Sequence, residues 1–520
     1  MTSIAAVLAA AARAARCLAV AAIMLPFVGT ALAAAPAIDV QKWDPKGDKV
    51  QIVNSGTIDF DADWLRNLDR IEVKLPNEKT LVLVRNPSKS AGKDVFMWTG
   101  HEVSDPLSVV TFTVSGNVVS GSIILSDGRV FKLETIDGKK YRFDQIDPSK
   151  LPAGGAPVPR PPAKGATPGV PVATAPVSPV GVAAAPSPPV LLNAPPPPPP
   201  PPPSPAPVAP GDAAGAAGGG APAAGAGPAA PGALAGRGEP GRGAVPGAPQ
   251  AGGPAAPMLP AEAPAACVDD GKVIDILVGY TKATTTPTRS AAEIERQICT
   301  AEGEANATYR LPLDFQIRIV GIDQIDLPPM TIATAVDELH NQFGVMKPLH
   351  LRRDALAADV IVLVVDTNDG SCGLSNLLTD VNDATFESWA FSVIPFDCLT
   401  GNFTLAHELG HVMGGQHDIA VDSSAGALKF DHGYVQTNPK PGRGPWLTIM
   451  AQYTKCTTEG KTCARLGRWS HPPELLPNGD MLGDETSNET ETLARTVSTV
   501  ANFRCAAKLP APVPRRCPEN

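Results

Sequence analysis

The sequence predicts an α/β domain with a mixed, mostly parallel sheet, preceded by a small all-β domain and a long disordered Pro/Ala/Gly-rich linker. Three observations lead there. Residues 151–266 hold 34 of the 57 prolines and 20 of the 48 glycines, including nine consecutive prolines at Pro195–Pro203, and only seven charged side chains. Such a stretch cannot bury enough apolar area to offset its ordering entropy. Before it lie short β-prone runs, and after it strand-like and helix-like segments alternate. The 520 residues therefore divide into a leader at 1–33, a β-rich domain at 34–150, the linker at 151–266, an α/β domain at 267–506 and a tail at 507–520. Both folded pieces are long enough for a core of their own.

Arg13 and Arg16 precede an apolar run from Leu18 to Val28, and Ala31-Leu32-Ala33 is a small-residue cleavage site. This reads as a signal peptide, so the chain is expected to be secreted, periplasmic or extracellular. The two arginines interrupt the apolar residues, and no membrane-spanning run follows. A formal net charge of −9 argues against general nucleic-acid binding.

In the β-rich piece, Glu72–Leu75, Leu81–Val84, Val109–Val114 and Ser122–Leu125 read as short strands. Asn117, Asp127-Gly128 and Asp137-Gly138 are turn signals between them. This domain lacks cysteine, and its lone His101 carries no chemistry. The proline tract that follows is a stiff polyproline II rod at ~3.1 Å per residue, the Gly/Ala part is flexible, and the whole reads as a tether.

In the α/β piece, Val273–Tyr280 reads as a buried strand, and Ser290 opens a helix to Tyr309 with Ile294, Ile298, Ala301 and Ala305 on one face. A strand at Leu313–Ile322 and a helix at Ile332–Phe343 follow. Val360–Val365 is a continuous apolar run, as a strand covered on both faces would be. Cys372–Leu377 and Ala390–Ile394 are two more strands, Thr404–Met413 is a helix, and Glu489–Phe503 closes the domain after a long stretch poor in regular signals. Beyond the leader's Cys17, eight cysteines lie from Cys267 onward. An even number in an exported chain points to disulfides, and Cys456 and Cys463 close a short loop as the expected local pair.

The chemistry is concentrated in His407-Glu408-Leu409-Gly410-His411-Val412-Met413-Gly414-Gly415-Gln416-His417-Asp418. Residues four apart on a helix share a face, so His407 and His411 can reach one metal ion. Neutral imidazole suits zinc. Glu408, on the same turn, is placed to accept a proton from a water without being a ligand. Gly414 tolerates the left-handed backbone that ends a helix, which lets His417 return as the third nitrogen. Three protein ligands with an open fourth position mark a catalytic zinc site, holding one ion. No motif indicates Ca2+.

On these residues the chain resembles the metzincin metalloproteases, whose signature is HExxHxxGxxH followed by a methionine turn. Asp418 after the third His is the reprolysin (adamalysin) form, and Thr448-Ile449-Met450-Ala451 resembles the Met-turn, which makes Met450 the apolar floor of the site. Asp275–Thr281, Gly370–Asn376, Ala390–Val393, Asp397–Thr404, His432-Gly433-Tyr434 and Val500–Arg504 are similar to segments of bacterial peptidyl-Asp metalloendopeptidases. The resemblance implies a metzincin-type fold and a zinc endopeptidase with Glu408 as general base. It also implies a Cys372–Cys398 disulfide, a protein or peptide substrate laid along Gly373–Leu377, and an N-terminal domain acting in cis as an inhibitory propeptide. Selectivity for Asp would need a cation beside the Met-turn, and Arg443, Lys455, Arg465 and Arg468 lie in that region. Tyr453 is three residues past Met450, where astacin- and serralysin-type enzymes place a Tyr two past, and takes no catalytic role. No cysteine between Ala34 and Ala266 is available to block the zinc. Two other readings compete: a metzincin of broad or different specificity, and a non-catalytic secreted zinc-binding adhesion module.

Overall fold

In the computed structural model the described residues are 37–44, 49, 51–87, 95–161, 269, 271–310, 312–367, 369–506, 509 and 514–518. The expected signal peptide, most of the linker, Cys267 and most of the tail lie outside them.

The N-terminal domain is one nine-stranded sheet. Its strands are β1 (Ala37–Asp39), β2 (Ile52–Asp59), β3 (Arg70–Lys74), β4 (Leu81–Arg85), β5 (Val95–Glu102), β6 (Asp105–Ser115), β7 (Val118–Ile124), β8 (Val130–Asp137) and β9 (Lys140–Ile146). Its neighbours pair antiparallel except β1 with β3, and the predicted turns at Asn117, Asp127-Gly128 and Asp137-Gly138 join β6 to β9 as hairpins. Alternate residues such as Leu83, Trp98, Phe112, Phe131 and Phe143 fill its interior.

The second sheet has the order β10-β14-β15-β13-β11-β12. Its strands are β10 (Val158–Pro159), β11 (Val273–Thr281), β12 (Gln316–Ile325), β13 (Val360–Val365), β14 (Leu374–Leu377) and β15 (Phe391–Pro395). All its pairings are parallel except β14 with β15. On β13 and β11, Val360, Val362, Val364, Ile276 and Val278 point into one core, while Ile361, Leu363, Val365 and Leu277 point into another. Both faces are buried, which accounts for the unbroken apolar run.

Helix α1 (Ala291–Tyr309) starts at Ser290, whose side chain accepts from the Glu293 N–H at 3.2 Å. Its Ile294, Ile298, Ala301 and Ala305 enter the sheet core as expected. Its other face is buried too. A Cβ on Gly303 would stand 2.6 Å from Thr111 Cγ2, and Thr300 Oγ1 bonds Thr113 Oγ1 at 3.0 Å. The β-rich domain is thus packed directly on this helix.

Helix α2 (Ile332–Leu339) stops short of the expected Phe343, and a second helix, α3 (Lys347–Leu356), follows it unforeseen. Pro348 sits in its first turn, where a missing N–H costs nothing, and its apolar stripe is only Leu349 and Leu356. Beyond lie α4 (Thr404–Val412), the strand pairs and bridges of β16 (Val435–Gln436), β17 (Trp446–Leu447) and β18 (Ala464–Arg465), α5 (Thr454–Thr458), the hairpin of β19 (His471–Leu475) and β20 (Met481–Leu482), and α6 (Glu489–Val500).

Residues 151–161, expected to open the linker, are instead part of the folded body. Leu151 is buried and β10 pairs with β14 at Val158↔Asn376 and Pro159↔Leu377. The reason is their composition. Small residues let the backbone lie against another strand, so a Pro/Gly-rich segment is held by main-chain hydrogen bonds instead of side-chain burial.

Because Leu363 is fully buried in the central strand, Leu363→Ala should cost about 2–5 kcal/mol of stability. Denaturant unfolding of both chains would check this.

Candidate metal centre

Helix α4 is buried along its whole length. It begins after Phe403, which is in the left-handed region (φ 55°), and Glu304 of α1 accepts from the Gly401 N–H at 2.9 Å just ahead of it. A Cβ on Gly410 would stand 2.4 Å from Met450 Sδ, so this glycine lets the helix rest on the methionine. Gly414 (φ 89°) ends the helix, and a Cβ there would meet Ala427 at 2.4 Å. The chain turns back, the Gln416 N–H donates to the Asp431 carbonyl at 2.7 Å, and His417 follows. The His432 ring nitrogen Nδ1 donates to the His417 carbonyl at 2.8 Å, which fixes the returning backbone.

These local structures bring His407, His411 and His417 together, with ligand atoms within 4.8 Å of one another. Nε2 of His417 is 3.2 Å from Nε2 of His407 and 3.2 Å from Nε2 of His411. A tetrahedral ion with Zn–N of about 2.05 Å has a nitrogen–nitrogen edge of ~3.3 Å, so the donor set fits zinc in spacing as well as in chemistry. Nδ1 of His407 donates to the Ile449 carbonyl at 2.9 Å, and Nδ1 of His411 donates to the Gly415 carbonyl at 2.8 Å. Those bonds leave each Nε2 as a lone pair facing the centre. Burial keeps the rings neutral: it pushes His407 and His417 well below the usual imidazole range and His411 down to about 4.

Glu408 reaches the same space and is fully enclosed. Burial lifts its carboxyl to about 8, against the opposing hydrogen bond from Ser375. Ser375 Oγ donates to Glu408 Oε2 at 2.5 Å and lies 2.8 Å from Ser392 Oγ, so two adjacent strands orient the carboxyl. A Cβ on Gly373 would stand 2.1 Å from Glu408 Oε1, so only glycine leaves room for it there. Asp418 is buried and accepts from the Gln452 N–H at 2.9 Å, tying the third histidine to the segment after Met450. Met450 is itself fully buried beneath Gly410. Cys372–Cys398 and Cys456–Cys463 are bonded, as is Cys299–Cys517, a pairing that nothing in the sequence singles out.

The segment after the β-rich domain crosses the centre. The Cys372 N–H donates to the Ala153 carbonyl at 3.0 Å, and the Gly155 N–H donates to the Gly373 carbonyl at 2.8 Å. From the other side Gln452 Nε2 donates to the Gly154 carbonyl at 3.0 Å. A Cβ on Gly154 would stand 3.0 Å from His407 Nε2 and 3.6 Å from His417 Nε2. Beside it is a cavity of about 320 Å³ whose lining includes Leu151, Thr404, Glu408, Gln452, Tyr453 and Arg465.

A three-histidine centre on such a helix is what a metallopeptidase needs, and residues 270–464 match the reprolysin-type model of metallo-peptidase family M12. This segment is an M12 metallopeptidase domain. The chain is 38% identical over 162 residues to a peptidyl-Asp metalloendopeptidase of Stenotrophomonas maltophilia, covering 31% of this chain and 36% of that one. It is 37% identical over 108 residues to a protein of the same description from Pseudomonas fragi, covering 21% of this chain and 63% of that one. The chain therefore spans about a third of the length of the first of these relatives. The crystal structure of metalloproteinase-II from Bacteroides fragilis aligns with a TM-score of 0.34 at 10% identity, over 69% of this chain and 85% of that one.

Several contacts of the M12 domain have no sequence signature. Ser375, Gly373 and Gln452 stand outside the histidine motif and meet it only through the fold. Of the cations beside the Met-turn, Arg443 donates to Ser126 of the β-rich domain and Arg468 pairs with Glu474 at 3.7 Å, whereas Arg465 lines the cavity. Tyr453, given no catalytic role, also lines it. The full chain should take up one zinc ion, and His411→Ala should lose it; metal analysis after dialysis would check both.

Proposed function

We propose that the chain is a secreted zinc-dependent endopeptidase, selective for Asp-containing sites and made as a zymogen. The observation that carries the catalytic reading is the trio of neutral Nε2 atoms at zinc spacing with the Glu408 carboxyl beside them. His407, His411 and His417 would hold the ion. Zinc, when bound, supplies Lewis acidity toward the scissile carbonyl and acidifies water. Glu408 takes the proton of the attacking water and returns it to the leaving amine. Ser375 holds the carboxyl in place for both transfers, and Gly373 lets the strand approach it closely. Backbone pairing along β14 suits an extended chain bound at its middle, and so supports cleavage within a substrate over cleavage at its ends. The Asp selectivity rests on the names of the two relatives. Secretion rests on the leader and on the disulfides, which persist in oxidising compartments; no described helix is long and apolar enough to cross a membrane.

The zymogen reading is supported by residues 153–159. They lie on β14 and against the histidines, where a substrate would have to lie. Their strand is parallel to β14, and no side chain at Gly154 reaches the centre. Arg160 clamps the end of the segment on Asp383 at 3.2 Å.

Glu408→Gln should abolish peptide hydrolysis while one zinc remains bound; wild-type rates in that variant would exclude Glu408 as the base. Gly154→Val should crowd the His407 ring and loosen the segment, so the uncut full chain should hydrolyse a quenched peptide at least several-fold faster than uncut wild type. An equally silent variant that binds zinc would remove the inhibitory role of this segment.

A further inference from the structure

Helix α1 carries two faces of opposite character. Ile294, Ile298, Ala301 and Ala305 enter the sheet core, whereas Glu293, Gln297, Thr300 and Glu304 recur at i, i+4, i+7 and i+11 on the other side. A polar stripe at that spacing ordinarily faces water. Here it faces the β-rich domain. Gln297 is 1% exposed and its Nε2 donates to Glu134 Oε1 at 2.9 Å, while the fully buried Thr300 hydroxyl donates to Thr113 Oγ1 at 3.0 Å.

Around this stripe the contact is apolar. Met97, Val109, Val130 and Ile146 of the β-rich domain share one buried cluster with Phe396 and Phe403 of the M12 domain. Two glycines permit the close approach. A Cβ on Gly401 would stand 3.2 Å from Ile146 Cδ1, and one on Gly467 would stand 3.1 Å from Val109 Cγ2. A cut in the linker removes none of these contacts. The sequence has no cysteine between Ala34 and Ala266, so only noncovalent contacts would then join the two pieces.

The interface also responds to protons. Where α1 begins, a cavity of about 730 Å³ opens between the two domains, lined by Glu293 from α1 and Glu134 from β8. Burial and then the Glu134 charge lift the Glu293 carboxyl to about 7, against a hydrogen bond from the Ser290 backbone and the cations Arg142 and Arg289. Glu304 is enclosed at the far end of the stripe. Burial lifts it to about 7 as well, against the hydrogen bond from the Gly401 N–H and the charge of Lys132 on β8.

The other acids of the cavity do not share this behaviour. Burial pushes Glu134 and Asp397 up, but Lys132 and Arg142 outweigh it at Glu134, and Lys49 outweighs it at Asp397, so both are held below the ordinary range. Asp144 is raised by burial, but its partners Ser55 and Arg142 belong to its own domain and stay with it. Glu293 and Glu304 return to the ordinary 4.5 when the β-rich domain leaves and water reaches them. Docking is therefore strongest below about pH 4.5 and weakens as the pH rises toward 7.

We infer that the β-rich domain, once the linker is cut, remains on α1 as a noncovalent subunit whose hold weakens as the pH rises from about 5.5 to about 8.5. Residues 151–161 are joined to that domain, so the segment across the histidines stays tethered for as long as the domain stays. This goes beyond the zymogen reading, which concerns the segment alone. Its test reads association and not activity, so either can fail without the other.

The test uses the full chain as Glu408→Gln, so that digestion of one piece by the other cannot mimic release, with a specific protease site placed between residues 165 and 263 and cut to completion. Sedimentation should show one 1:1 complex at pH 5.5, and the dissociation constant should rise on the order of 10²-fold or more by pH 8.5. Adding Glu293→Gln, which keeps the Ser290 cap and cannot ionise, should shrink that rise by about tenfold. If Glu293→Gln does not dock at pH 5.5, the two constants of the chain with native Glu293 decide. Separate pieces at pH 5.5 overturn the inference. So do equal constants at the two pH values, or a rise in docked Glu293→Gln equal to that with Glu293.

Discussion

Three imidazole nitrogens held within 4.8 Å of one another in a buried space, with that of His417 3.2 Å from each of the other two, form the constraint on which the rest of the M12 domain depends. Nδ1 of two of the rings is committed to backbone carbonyls, so their Nε2 lone pairs converge without a proton between them. Convergent lone pairs repel, and protonating the rings is opposed by burial. A cation relieves both penalties at once. The surrounding fold must therefore hold the rings in place against their own repulsion, and each neighbouring feature contributes to that. Glu304 fixes the entry to α4, Gly410 lets the helix sit on Met450, Gly414 turns the chain, and Asp418 anchors the third histidine to Gln452.

The same scaffold couples the metal site to the cavity beside it. The Ile449 carbonyl accepts from His407 Nδ1 and also from Arg465 Nη1. One peptide group in the Met-turn thus orients a ring of the histidine cluster on one side and a cavity-lining guanidinium on the other. The guanidinium is held by the carbonyls of Thr448 and Ile449. A displacement of Met450 or Leu447 would disturb both the ring and the guanidinium, and this stretch is packed without exposed side chains.

How far the sequence can be read depends on whether a feature is local. The histidine spacing, Glu408 and Gly414 lie within one helix and turn, and their geometry is dictated by helical periodicity and one left-handed residue. The strands of the main sheet are legible because they are continuous apolar runs, and Ser290 announces α1 by its cap. Helix α3 is not legible, since its stripe is two leucines among charged residues. Gly373 and Ser375 are invisible as partners of Glu408 because their closeness is created by strand pairing, across more than thirty residues of intervening chain.

Residues 151–161 depart furthest from what composition predicts. Composition assigns them to the linker, on the sound ground that small residues and proline bury little apolar area. That ground concerns cores, and this segment does not stabilise one. It is held by main-chain bonds to Cys372 and Gly373, by Gln452, and by a strand pairing of two residues. A side chain at Gly154 would crowd the two imidazoles, and the segment runs parallel to β14. The features that make it look like linker are thus the ones that let it lie across a metal centre. A segment made of few apolar contacts would expose little hydrophobic area if it were displaced. The segment is thus placed in the cleft by the direction of its hydrogen bonds and its short strand pairing, with little contribution from burial.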